Sequence, residues 1–427
     1  MNPVAITGIG AITPAGLGPD RLSEQVFSGR SCVRRIDRFD AGPYQCQVAG
    51  QADDFLAADW LPPRFLKRTD RFTHLATVAA GAAIDSAQLR IGLGGVPAER
   101  VGVMVGNVLG GWEFAERELR DLWTSGPREV SPYQATAWFP AAPQGNICIR
   151  YGIHGRSRTF VCDRASGAVA VLHAAETVMR GQADVVIAGG TEQPLSPYAW
   201  LCCETGGFLA RSGSREPGAT YRPFDRGHSG TVVGEGSVFL VLEHPEHAAQ
   251  RGVPVLAELR GWSMSTDGYQ PYYTVEPRGD TLARTIGSAL RAASCEAADL
   301  GGVLADGSGV PREDAAEVAA IRAALNGSHG TVPVTATKAA VGHLLGAGPV
   351  ADLAVAVAAL ARGALPPTAN LGTPAPGFDL DFVRDEPRAV RDGAPLLSVS
   401  RGLGGVNVCL VVGPAGDPDR RPDSTGN

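Results

Sequence analysis

The feature that most constrains this 427-residue chain is the alternation of short apolar runs with longer helix-length segments. Strand-like runs, bounded by Gly, Pro or Asp, include Val4–Thr7, Val101–Val105, Asp184–Ala188, Val238–Leu242, Val303–Ala305, Val332–Thr335, Leu396–Val399 and Val408–Val412. Between them lie Phe72–Ala87, Ala165–Gly181, Thr281–Ala293, Asp314–Leu325 and Ala351–Ala361, each long enough for a helix. Strands alternating with helices argue for an α/β fold with mixed sheets. A polar stretch, Glu243 to Gly252, separates a longer front half from a shorter back half, each with its own strand–helix series. The expected organisation is therefore two lobes, 1–250 and 251–414, sharing one core, with a disordered tail over 415–427. No residue-level repeat between the halves is legible.

Composition narrows the function classes. Hydrophobic residues make up 44% and charged residues 19%, so a large core is available. A net charge of −6 argues against nucleic acid as the main partner. No apolar run approaches the ~20 residues of a membrane span, and the longest, Val350–Ala361, is interrupted by Asp352. The N-terminus enters a strand pattern at once and carries no export signature. Eight cysteines, at 32, 46, 148, 162, 202, 203, 295 and 409, include no CxxC pair, so a reduced, cytoplasmic protein without a bound metal is expected. No Gly-rich nucleotide loop follows a strand, and no cofactor is expected. Of 38 basic residues only Lys67 and Lys338 are lysine, which marks those two positions for attention.

The segment from Ser157 through Phe160-Val-Cys-Asp-Arg-Ala-Ser-Gly to His173 reads as a strand, a sharp turn and a buried helix starting near Ser166. A residue at such a turn sits at the helix N-terminus, where partial positive charge lowers a thiol's pKa and stabilises an oxyanion. The residue at the turn is Arg164. Cys162 lies two residues earlier, on the strand, where a buried small hydrophobe is the favoured reading over a reactive thiol.

This segment, together with Ala183-Asp-Val-Val-Ile-Ala-Gly-Gly-Thr-Glu, Arg222-Pro-Phe-Asp-Arg, Thr337-Lys-Ala-Ala-Val-Gly-His-Leu-Leu-Gly-Ala-Gly and Gly402-Leu-Gly-Gly-Val-Asn, resembles the β-ketoacyl synthase family over residues 3 to 413. The resemblance implies a thiolase-like fold of two pseudo-repeated lobes around shared central helices, assembled as a dimer. A working ketosynthase uses a Cys–His–His set: the thiol takes the acyl chain and the histidines support decarboxylation and carbanion attack. Here Arg164 stands at the nucleophile position, Asp306 at the first histidine and Arg401 at the pocket's gating phenylalanine; only Lys338 and His343 remain. A guanidinium stays protonated and cannot accept an acyl group, so condensation by this chain alone is not expected. Ala305-Asp-Gly-Ser-Gly-Val-Pro, then Asp314-Ala-Ala-Glu, and Ala137-Trp-Phe resemble the chain length factor, or ketosynthase-β, of type II polyketide synthases. Arg164 in place of the usual Gln, and the retained His343, differ from the aromatic-polyketide members, leaving reduced and polyene products open.

What that subgroup implies for individual residues is specific. It implies an active ketosynthase-α as heterodimer partner, and an acyl carrier protein bearing the growing polyketide or polyene chain. Trp112, Ala115 and Leu119 recur at i, i+3 and i+7, one face of an amphipathic helix with Glu113, Glu116, Arg117 and Arg120 opposite; spacing alone reads as core packing. By resemblance these three, with Trp200, line the chain-length tunnel, and Gln134 and Trp138 reach across the subunit interface. Arg64, Lys67, Arg68 and Arg71 recur at i, i+3, i+4 and i+7, a basic helical face that on spacing alone is ordinary solvated surface and that the resemblance places at carrier docking. Arg164, Asp306, Lys338, His343 and Arg401 are expected to converge as a relic site. There Asp306 would pair with Arg164 or Arg401, and Lys338 would hold Asp352 or Glu317. Two other readings stand beside this one. One is a condensing or decarboxylating enzyme using Cys162 or His343 with Lys338, and the other is a free-standing acyl-binding scaffold.

Overall fold

The computed structural model describes residues 2–416, apart from 214, 270, 271 and 273, and in it the two halves repeat one strand arrangement. The first half contributes β1 (Val4–Thr13), β2 (Val101–Gly106), β3 (Arg158–Phe160), β4 (Val185–Glu192) and β5 (Gly236–Glu243). The second contributes β6 (Ala257–Thr266), β7 (Gly302–Leu304), β8 (Pro333–Thr335), β9 (Leu396–Gly402) and β10 (Val406–Gly413). Across the sheet the order is β3-β2-β4-β5-β1-β6-β10-β9-β7-β8. Numbered within its own half, each set of five reads 3-2-4-5-1 toward the centre, the second flanked outside β8 by the two-residue strand Asp381–Phe382. Pairing directions also match: 1 with 5 and 5 with 4 run antiparallel, 4 with 2 and 2 with 3 parallel. At the centre β1 meets β6 antiparallel, with Val4 opposite Leu259 and Ile6 opposite Ala257. The repeat that is invisible residue by residue is plain in topology.

Six helices matter for the site: α1 (Arg71–Ser86), α2 (Trp112–Ser125), α3 (Ser166–Met179), α4 (Asp280–Ala292), α5 (Pro311–Leu325) and α6 (Gly348–Arg362). Period-2 alternation sorts each strand's side chains between layers. Val238, Leu240 and Leu242 of β5 and Val408, Leu410 and Val412 of β10 face a shared central core with α3 and α6. Phe239 and Val241 instead face α1, and Cys409 and Val411 face α4 and α5. The central helices are covered on all sides, which is why both are runs of Ala and Val. Close approach demands small residues there: a Cβ on Gly167 of α3 would lie 2.3 Å from the Gly346 carbonyl oxygen.

The segment Leu345–Arg362, which contains α6, is apolar and 18 residues long, but 78% of it is buried between the two halves. The charge interrupting it, Asp352, is paired inside the protein with Lys338 Nζ. The tail expected from residue 415 lies, from 417 onward, outside the described residues.

Candidate functional site

The site is built on the turn between β3 and α3. Asp163 adopts a left-handed φ of 50° there. Ser166 Oγ accepts from the Cys162 amide (2.8 Å) and donates to the Asp163 carbonyl (2.5 Å), closing the first turn of the helix. Across the molecule, the Leu403 amide donates to Asp163 Oδ2 (2.7 Å), tying the elbow to the β9–β10 hairpin. A Cβ on Gly402 would come within 2.8 Å of the Cys162 carbonyl oxygen. This clamp sends the next side chain, Arg164, into the interior, where it is 1% exposed.

Arg164 is held by a partner the sequence reading did not select. Its Nη2 donates to Glu313 Oε2 at 2.9 Å, and its Nε lies 3.4 Å from Asp163 Oδ2. The expected pairing of Asp306 with Arg164 or Arg401 is not formed. Arg401 donates from Nε to Asn407 Oδ1 (3.1 Å) and from Nη2 to Asp267 Oδ2 (3.4 Å). Asp306 instead faces Lys338 Nζ at 3.6 Å and His343 Nε2 at 3.9 Å. The reason is α5: its first turn, Pro-Arg-Glu-Asp, delivers Glu313 to the elbow. One turn on, Glu317 accepts from the Asp306 (2.7 Å) and Gly307 (2.9 Å) amides and fixes that loop. The pairing of Lys338 with Asp352 is formed as expected, and Thr337 Oγ1 donates to the same carboxylate.

Electrostatics follow from burial and pairing. Burial opposes charge on Arg164, but the carboxylates of Glu313, Asp163 and Asp306 outweigh it and hold the guanidinium charged. Burial likewise opposes charge on Lys338, and Asp352 and Asp306 outweigh it. Burial drives the His343 pKa well below 6.5, with Lys338 and Arg164 adding to the effect. The Leu345 amide donates to His343 Nδ1 (3.0 Å), which assigns the proton of this neutral ring to Nε2. Burial and the Asp163 charge push the Cys162 thiol up, and the side chain packs against the central core. That is the opposite of an activated thiol. The elbow thus presents a buried, ion-paired arginine.

The second constellation surrounds α2. Trp112 is its first residue, and its indole packs on the Tyr198 ring with centroids 4.9 Å apart. With Leu119 and Trp123, and with Tyr44, Tyr198 and Leu201 opposite, it lines an open groove of about 530 Å³. The expected face divides: Trp112 and Leu119 line the groove, whereas Ala115 is buried, as are Phe114 and Glu118. Glu116, expected on the far side, lies in the groove and accepts from the Tyr198 amide (3.1 Å).

Trp200 requires a correction. It is fully buried, donates from Nε1 to the Cys46 carbonyl (2.9 Å) and belongs to a separate cluster with Leu195, Tyr221 and Val232. The short helix Pro197–Thr205 turns Tyr198 and Leu201 outward and Ala199, Trp200 and Cys203 inward, so Tyr198 holds the groove position that Trp200 was expected to hold. Gln134 opens a short helix, Gln134–Ala137, and Trp138 follows it, 40% exposed beside Phe139 at 52%.

The basic face is also interrupted. Arg64 belongs to the short helix Pro63–Leu66, the chain then turns, and a new helix starts at Arg71 behind the N-cap Asp70. Arg64 and Lys67 are exposed and Arg68 is half-buried, its guanidinium 5.1 Å from the Tyr133 ring centroid. Arg71 is half-buried and turned inward, in an ion pair with the buried Glu235 (2.7 Å), and also donates to the Ala52 carbonyl (3.0 Å). Three of the four residues remain available at the surface.

Comparison with known proteins agrees with this geometry. Residues 1–248 match the family model described as the N-terminal domain of β-ketoacyl synthase, and residues 256–372 match that of the C-terminal domain. A putative polyketide β-ketoacyl synthase 2 of Streptomyces halstedii is 39% identical over 95% of this chain and 96% of its own length. The ketoacyl synthase β subunit of the tetracenomycin polyketide synthase of Streptomyces glaucescens is 37% identical over 96% of this chain and 98% of its own. Among solved structures, the ishigamide ketosynthase/chain length factor superposes with a TM-score of 0.88 at 26% identity, covering 97% of this chain and 100% of its own. A type II polyketide synthase acyl-carrier protein in complex with its ketosynthase bound to the hexaketide gives 0.87 at 25% identity, with the same coverage. With the thiolase-like repeat, the strand–elbow–helix and the retained Lys338–His343 segment in place, this chain belongs to the β-ketoacyl synthase family, and its relatives put it among the polyketide synthase β subunits.

Proposed function

We propose that this chain is the chain length factor of a type II polyketide synthase, a subunit that leaves condensation to a partner ketosynthase and shapes the tunnel in which the chain grows. The observation that carries this reading is Arg164, fully buried at the nucleophile's place and ion-paired to Glu313. The aromatic residues around α2 support it from a second direction. Trp123 is 77% exposed, Tyr198 45% and Leu201 44%, an apolar surface suited to a protein partner. Together with Trp138 and Gln134, this surface is the one we assign to the ketosynthase-α subunit, with Trp112 and Leu119 closing the end of the tunnel.

Coexpression with the ketosynthase that accompanies it tests the assignment. Native mass spectrometry is expected to show a one-to-one heterodimer. A stable homodimer that ignores the ketosynthase would overturn the reading and return attention to Cys162. The competing reading, a condensing or decarboxylating enzyme working through Cys162 or through His343 and Lys338, gains little from the geometry. The thiol is raised and the ammonium is committed to Asp352.

Arg64, Lys67 and Arg68 form the surface we assign to the acidic acyl carrier protein. Reversing Arg68 to Glu is expected to weaken carrier binding to the heterodimer, by a factor that shrinks as salt rises. Affinity unchanged at low salt removes this segment from the docking surface. We place the chain in a reducing, cytoplasmic setting, the compartment in which eight cysteines without a disulfide framework are ordinary.

A further inference from the structure

Helix α2 lacks an N-cap side chain of its own. The residue at that position is Gly111, and a Cβ there would lie 2.5 Å from the Ala137 carbonyl oxygen and 2.8 Å from Asp70 Cβ. The missing cap comes from Asp70, distant in sequence and 2% exposed. Its Oδ1 accepts from the Phe72 amide (3.0 Å), capping α1, and its Oδ2 accepts from the Phe114 amide (2.7 Å), at the third residue of α2. An N-cap side chain makes this kind of bond to its own helix; here one carboxylate makes it to two.

The segment carrying Asp70 follows directly on Arg64, Lys67 and Arg68. It also touches the loop behind α2, because Arg68 stacks over Tyr133. That loop is pinned to α2 by Glu118, buried, whose Oε2 accepts from the Ser131 amide at 2.6 Å. The segment, α2 and the loop thus meet through two buried acids, Asp70 and Glu118.

We propose that Asp70 is a positioning residue for chain-length selection: by capping α1 and α2 with a single carboxylate it fixes where the Trp112 indole closes the groove. The proposal rests on the gate reading of Trp112, which can be tested separately. Asp70 itself touches no growing chain. It acts through the first turn of α2, where Trp112 is the first residue.

Asp70→Ser separates the two caps. A serine hydroxyl can still accept from the Phe72 amide and cap α1, but it is too short to reach the Phe114 amide. Asp70→Asn, of equal size but with one acceptor oxygen, serves as the second variant should the serine protein fold poorly. Each is coexpressed with the ketosynthase, supplied with malonyl-loaded carrier protein, and its products are resolved by mass spectrometry. The ratio of longer to parent products is expected to rise about fivefold, the population shift that loss of one N-cap produces, while total malonyl consumption holds. In the Asp70→Ser/Trp112→Ala double variant the product distribution should match that of Trp112→Ala alone. An unchanged ratio in a folded Asp70 variant, where Trp112→Ala does change it, overturns the proposal. A shift that adds to that of Trp112→Ala also overturns it, because the effect then does not pass through the indole. If Trp112→Ala alone leaves the products unaltered, the gate reading fails and this proposal falls with it.

Discussion

A heterodimer carrying Arg164→Met is expected to lose about 3–5 kcal/mol of stability, the usual consequence of removing one member of a buried ion pair. Arg164 is 1% exposed, so no solvent takes over when the guanidinium leaves. Glu313 and Asp306 would then have one fewer cation near them in the interior, and Glu313 would lose its hydrogen bond from Arg164. Methionine fills a similar length, so the loss reads charge rather than volume. The companion variant is Arg164→Met with Glu313→Leu, which removes both members and should recover most of the loss. Denaturant unfolding at one fixed complex concentration measures both. A single-variant loss below about 1 kcal/mol, the scale of an exposed pair, would show that the elbow is open to water.

The same residues show what was legible in the sequence. The elbow and the start of α3 at Ser166 were readable because an apolar run, a turn and an Ala/Val-rich helix follow one another without a break. The identity of the Arg164 partner was not, because Glu313 lies 149 residues away and reaches the site only through the placement of α5. A local signal for it existed: Glu313, Asp314 and Glu317 crowd the first turns of a helix opened by Pro311, and all three are buried. The basic face over 64–71 breaks for a different reason. Periodicity carried the helix through Thr69-Asp70, although Asp before an apolar-periodic segment is an N-cap signature, and the cap restarts the helix at Arg71. In the helix Pro197–Thr205 both faces are apolar, so periodicity could not say that Trp200 turns inward and Tyr198 outward. Tertiary packing decides that choice.

Trp112→Ala is the substitution with the largest expected effect on what the complex makes. The indole stands at the entrance to α2, packed on Tyr198 and bordering a groove of about 530 Å³. Because the groove is open along that side, deleting the ring lengthens existing space instead of sealing a new void. The stability cost should therefore fall below the 3–5 kcal/mol typical of an enclosed Trp→Ala cavity, at about 2 kcal/mol. A growing chain can occupy the added length, so the parent product should fall from the main species to a minor one and longer products replace it. Leu119, on the same outward stripe, should give a weaker shift in the same direction when cut to Ala. Ala115→Gly, on the inward face, should lower stability and leave product length alone, because its side chain is buried and does not line the groove. Product masses from the three complexes separate the possibilities. Products of parent length from Trp112→Ala in a folded heterodimer would leave the aromatic groove as a subunit contact with no part in setting length.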